Sequence, residues 1–97
     1  MFEIQMPYKD GDVVSIKLSS GEEMIATLVQ ENTTEIVVSR PRMLAAGDKG
    51  MILAPYMFTV NPDAKYALRL NSVICVCKTE ATTAKSYNTQ TSGIAVI

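Results

Sequence analysis

Residues 13–18 alternate, with Val14, Ile16 and Leu18 apolar and Ser15 and Lys17 polar, the period of a strand that turns one face to a core. A polar stretch precedes them at 8–12, and Ser19-Ser20-Gly21 supplies a tight reversal after them. Residues 22–30 then resume an apolar-rich pattern. Their Glu, Met, Ala and Leu favour a helix, but the segment is short and opens at a hairpin-type glycine between strand patterns, so a strand is expected. Asn32-Thr33-Thr34 breaks it, and the β-branched run 35–39 completes a three-strand meander.

Further on, Arg40-Pro41-Arg42 interrupts the sheet edge, Met43 and Leu44 extend it, and 45–50 form a glycine-bearing hairpin loop. Residues 51–60 return as a strand with Ile52, Tyr56, Phe58 and Val60 on one face. Pro55 cannot donate to a ladder, so this strand is expected at an edge, a bulge or a corner. Residues 67–77 carry the last strong strand, which begins near Ser72 after a turn at Asn71. Strand alternation also marks Phe2, Ile4 and Met6. From 79 to 92 half the positions are Thr or Ser with no apolar period, which reads as a flexible tail before the apolar 94–97.

Five or six short strands in fewer than 80 residues are too few for an ordinary two-sheet sandwich. They suit an all-β, strongly bent, five-stranded antiparallel barrel, with Gly21, Pro41 and Pro55 available for the corners. An SH3-like or Sm-like barrel is expected ahead of the OB alternative. The expected division is a barrel domain at 1–78, with an extended or very short N-terminal segment, and a C-terminal tail at 79–97. At 97 residues the core is thin, about 60% of the unfolded surface being buried, so association between copies is a natural supplement.

Residues 11–28 read GDVVSIKLSSGEEMIATL, and the run V-x-I-x-L-x-x-G-x-x-x-x-A-x-L within them resembles the first half of the Sm1 motif of Sm and Sm-like (LSm, Hfq) proteins. Ala26 stands where the family usually has a glycine that lets the second strand bend. Residues 68–76, LRLNSVICV, resemble Sm2, with Arg69 at its arginine, Val73 at its valine and Leu70 in place of its glycine. The two matches, residues 11–28 and 68–76, come in the family's order. They fit best with the divergent Sm-like proteins of bacterial viruses. The resemblance implies a homo-oligomeric ring of about five to seven subunits, in which the fourth strand of one copy pairs with the fifth of the next. It also implies single-stranded nucleic acid at the pore, RNA first and DNA second, with a role in RNA processing or regulation. The family's uridine pocket carries Asp-x-φ-Asn and a stacking residue after the second strand. This chain has Glu31-Asn32-Thr33-Thr34-Glu35 there, without the second Asn or a ring.

The net charge of −1 and pI near 5.3 exclude duplex binding by bulk electrostatics. Nucleic-acid contact must be local, and the expected positions are Asn32, Thr33 and Thr34 in one loop, Arg69 and Asn71 in another, and the basic pair Arg40 and Arg42. Turn formation is the ordinary use of the loop residues, and pairing to a carboxylate that of Arg69. Tyr56, Phe58 and Tyr66 are the available stacking rings, although a thin core competes for them. A structural or protein-interaction ring without nucleic acid is the alternative, favoured by the acidic pI.

With no His, no Ser beside a base and acidic pairs only at turns (Asp10 with Asp12, Glu22 with Glu23), the chain lacks the groups of nucleophilic or histidine acid–base catalysis. A non-enzymatic protein without cofactor is expected. Cys75 and Cys77 share a strand face, a poor disulfide geometry, and a zinc site needs two further ligands, so no metal is expected. No apolar run approaches the roughly 20 residues of a membrane span, and the N-terminus lacks a signal-peptide pattern. The expected location is the cytoplasm, that of the host for a viral protein.

Overall fold

The computed structural model describes residues 7–92, so the alternation at 2–6 and the apolar run at 94–97 lie outside the described residues. Six strands appear in the order β1 (Val13–Leu18), β2 (Glu23–Glu31), β3 (Glu35–Gly47), β4 (Gly50–Pro55), β5 (Lys65–Arg69) and β6 (Val73–Lys78). They form one antiparallel sheet ordered β4-β3-β2-β1-β6, with β5 also paired to β3. The β1–β2 turn places Gly21 at φ 100°, a conformation that suits a residue without Cβ, and sets Ile16 opposite Met24. The second element is a strand, as its flanking turn and neighbours require, despite its helix-forming composition.

One face of the sheet forms the core: Val14, Ile16 and Leu18 of β1, Met24, Ala26 and Leu28 of β2, Ile36 and Val38 of β3, and Tyr66 and Leu68 of β5. Each set follows the two-residue period of its strand. The β2–β3 register slips twice, between Ile25 and Thr27 and between Leu28 and Gln30, which bends the pair. The barrel does not close by a ladder. Instead a 3-10 turn, Leu70–Ser72, carries the chain from β5, beside β3, to β6, beside β1, with Leu70 N–H donating to Thr34 O and Ser19 N–H donating to Ser72 O.

Three sequence expectations are corrected. First, Arg40-Pro41 does not interrupt the third strand but kinks it. Arg40 takes φ 52° and Pro41 is buried, so one 13-residue strand offers β5 its first half and β4 its second. Second, the strand expected over 51–60 stops at Pro55, where the missing N–H ends the ladder; the strand expected from near Ser72 is β6, starting at Val73 after the 3-10 turn, but the residues ahead of that turn form a further strand, β5.

Third, the expected flexible tail contains a helix, α1 (Ala81–Thr91). Glu80 caps it, accepting from Thr82 N–H at 2.9 Å and Thr83 N–H at 3.2 Å. Tyr87 is fully buried, and its hydroxyl donates to Arg40 O at 2.8 Å. Ile25, on the face of β2 opposite Met24 and Ala26, is equally buried outside the main core. A polar, Thr-rich helix of this length is marginal alone, so this packing holds it.

The hydrogen bonds from Thr82 and Thr83 hold the Glu80 carboxyl at about 2, below its ordinary 4.5. A depressed carboxylate stabilises the fold above its unfolded pKa and loses that effect as pH falls through the folded one. The helical circular dichroism should therefore hold down to about pH 4.5 and decline toward pH 2. Glu80→Gln should weaken the helix at neutral pH and flatten that decline; superimposable acid profiles for the two proteins would count against the cap.

Candidate nucleic-acid interface

The turn after β2 and the 3-10 turn before β6, distant in sequence, meet because β5 pairs with β3 so that Arg69 faces Glu35. The bond from Leu70 N–H to Thr34 O, 3.0 Å, locks them together. Between them lies an open cleft of about 340 Å³ lined by Thr33, Thr34, Arg69, Leu70 and Asn71. Four of the expected positions thus share one site. Arg69 is exposed, and no hydrogen bond or ion pair of its guanidinium is found among the described residues. Its five N–H donors are free for a planar acceptor or an anion.

Asn32 serves the turn. Its Oδ1 accepts from Thr34 N–H (3.0 Å), Thr34 Oγ1 (3.2 Å) and Glu35 N–H (3.0 Å), which fixes the amide orientation and holds Thr34 in the turn; Asn32 itself does not line the cleft. At the end of β2, the Tyr8 hydroxyl donates to Glu31 Oε1 at 2.8 Å. Desolvation first, and the Glu31 carboxylate second, push this tyrosine up to about 12.

The Arg40 and Arg42 pair separates. Arg42 donates to Pro62 O at 2.8 Å and meets Asp63 at 3.3 Å, so it tethers the 56–64 loop, whereas Arg40 is exposed and without an ion pair among the described residues. Of the three rings, Tyr66 is buried and Tyr56 packs against it in a tilted pair with centroids 6.0 Å apart, while Phe58 stands in solvent at 89% exposure. Sequence reasoning misses this last feature because an aromatic in a strand reads as core, and it becomes loop only once Pro55 ends the strand.

Among the described residues no group of three or more His, Cys, Asp or Glu side chains converges to hold a metal ion, and no helix is long and apolar enough to cross a membrane. The cleft offers hydroxyls, an amide and a guanidinium, a set suited to hydrogen-bonding phosphates and base edges. No family model matches the chain, and no curated protein matches it.

Proposed function

We propose that this protein is an Sm-like, ring-forming protein that binds single-stranded nucleic acid, RNA first, and does no covalent chemistry. The observation that carries this reading is the meeting of Thr33, Thr34, Arg69 and Asn71 in one cleft, with the arginine unpaired among the described residues. Repeated around a ring, such clefts add weak contacts into useful affinity.

The sheet margins support assembly. β6 pairs only with β1, and β4 and β5 each pair only with β3 among the described residues, leaving three free backbone edges. β5 has five residues, and β4 and β6, with six each, carry exposed apolar side chains, Ile74 on β6 and Met51 and Ile52 on β4. Such edges attract further strands, and a head-to-tail ring of about five to seven copies satisfies them without open fibres. An Sm-like protein of the bacteriophage type in the host cytoplasm, acting in RNA processing or regulation, fits these features.

Fluorescence anisotropy with oligo-U, oligo-A and single-stranded DNA across a salt series tests the reading. Arg69→Ala should weaken binding about tenfold and flatten the salt dependence by about one ion per site, with the ring intact. Asn71→Ala should weaken binding less. No binding by the unaltered protein at low salt would leave the structural ring, for which the pI near 5.3 and a cleft without an aromatic side chain speak.

A further inference from the structure

The groups that face the cleft at Arg69 differ in what they have left to give. Arg69, Thr33 and Asn71 are exposed, and their side chains make no hydrogen bond or ion pair among the described residues. The guanidinium keeps five N–H donors, the Thr33 hydroxyl one and the Asn71 amide two. Thr34 has spent its hydroxyl hydrogen on Asn32 Oδ1 at 3.2 Å. That same oxygen, an acceptor of the kind a base's N–H would seek, also takes the N–H groups of Thr34 and Glu35. Among the described residues, the amide oxygen left free at the cleft is that of Asn71.

A pocket that reads a base must accept from the base's own N–H groups and must offer a flat face for its ring. Uracil brings an imino N–H and adenine an amino group, and the cleft meets them with a single amide oxygen and hydroxyl lone pairs. It has no aromatic side chain, and its apolar wall is Leu70, half-buried against the core. A phosphodiester brings acceptor oxygens only, and it carries a negative charge. The planar fork of Arg69 matches two of those oxygens, and the Thr33 hydroxyl and Asn71 amide are further donors in the same cleft.

We infer that this cleft holds a backbone phosphate of the single strand, one per subunit, and reads no base, so that the strand is gripped irrespective of its sequence. The inference rests on the nucleic-acid reading above and names the part of the ligand that the site takes. Glu35 faces Arg69 across the β3–β5 ladder, yet no ion pair joins them and Glu35 does not line the cleft. Its carboxylate opposes a phosphate bound at Arg69, so Glu35→Gln should tighten binding about two- to threefold at low salt. Weaker binding in Glu35→Gln would make that carboxylate an acceptor for a base and overturn the phosphate assignment.

Fluorescence anisotropy of the full chain at low salt provides the main test. It compares oligo-U with oligo-A of one length, and oligo-dT with an abasic deoxyribose-phosphate strand of one length. The two RNAs should bind within about threefold of each other, the abasic strand within about threefold of oligo-dT, and Arg69→Ala should weaken all of them about tenfold. An arginine can also stack on a base, and the abasic strand removes that option. Tripolyphosphate should displace the strand only at about a hundredfold higher phosphate concentration, because it cannot span repeated clefts. Displacement at equal phosphate would make a free anion the ligand and overturn the strand. Oligo-U bound about tenfold tighter than oligo-A, or an abasic strand that fails where oligo-dT binds, overturns the phosphate assignment and leaves the nucleic-acid reading. Strand binding untouched by Arg69→Ala overturns the cleft as the phosphate site. No binding of any strand overturns both.

Discussion

Replacing Tyr87 with alanine should cost about 3–5 kcal/mol, the range for truncating a fully buried aromatic, and should detach α1 from the sheet. Two contributions combine here. The ring fills space on the outer face of the sheet, where Ile25 is equally buried, and the hydroxyl meets Arg40 O at 2.8 Å, Ser39 O at 3.2 Å and Thr27 Oγ1 at 3.1 Å. Arg40 needs that support, because its φ of 52° lies in the left-handed region, which costs a non-glycine residue about 1–2 kcal/mol. Tyr87→Phe should keep the packing and lose only the hydroxyl bonds, about 1 kcal/mol with some further cost from carbonyls left unpaired. Urea unfolding with helix content followed at 222 nm separates the two. Tyr87→Ala within about 1 kcal/mol of the unaltered protein would mean that the helix is ornamental. Burial raises the Tyr87 hydroxyl above its ordinary 10.0, so its contribution is whole below that value and fades as pH climbs past the raised one.

Ile74→Lys should take the proposed ring apart while leaving the subunit folded. Between Lys17 and Leu18 the β1–β6 register slips, pairing Lys17 with Cys75 and Leu18 with Val73, and Ile74 is the extra residue this leaves. Its side chain is 64% exposed on a strand whose other edge has no partner among the described residues. An exposed apolar residue at a bare edge invites a second chain, and lysine there is a common natural means of refusing one. The mass should fall from a ring to one subunit, a change of about fivefold or more, with unaltered far-ultraviolet dichroism. An Ile74→Lys protein that assembles at the same concentration as the original would show that β6 is not an interface strand.

The fold was legible where hydrophobic period decides the outcome. Val14, Ile16 and Leu18 can reach a core only as a strand, and Gly21 needs a turn, so β1, β2 and the start of β3 follow from neighbours in sequence. What escaped depends on distant contacts. The kink at Arg40 is held by a carbonyl bond from Tyr87, 47 residues away, and local pattern shows only a proline.

Helix α1 hides for the same reason. Thr and Ser dominate it and disfavour helix in isolation, and its apolar signal is reduced to Ala84, Tyr87 and Thr91, spaced three and four apart on one face. That spacing, with Glu80 two and three residues ahead of Thr82 and Thr83, was the signal available. The cleft was readable as two loops, since Asn32-Thr33-Thr34 and Arg69 with Asn71 are polar turns. Their meeting depends on the pairing of β5 with β3, which local pattern does not show.

The proposed ring bears most weight, because the cleft gains from repetition. Native mass spectrometry of the unaltered protein at micromolar concentration tests it most directly. One dominant closed species of about five to seven subunits is the expected spectrum. A lone 10.6 kDa chain, or an open series of ever larger oligomers, would contradict it.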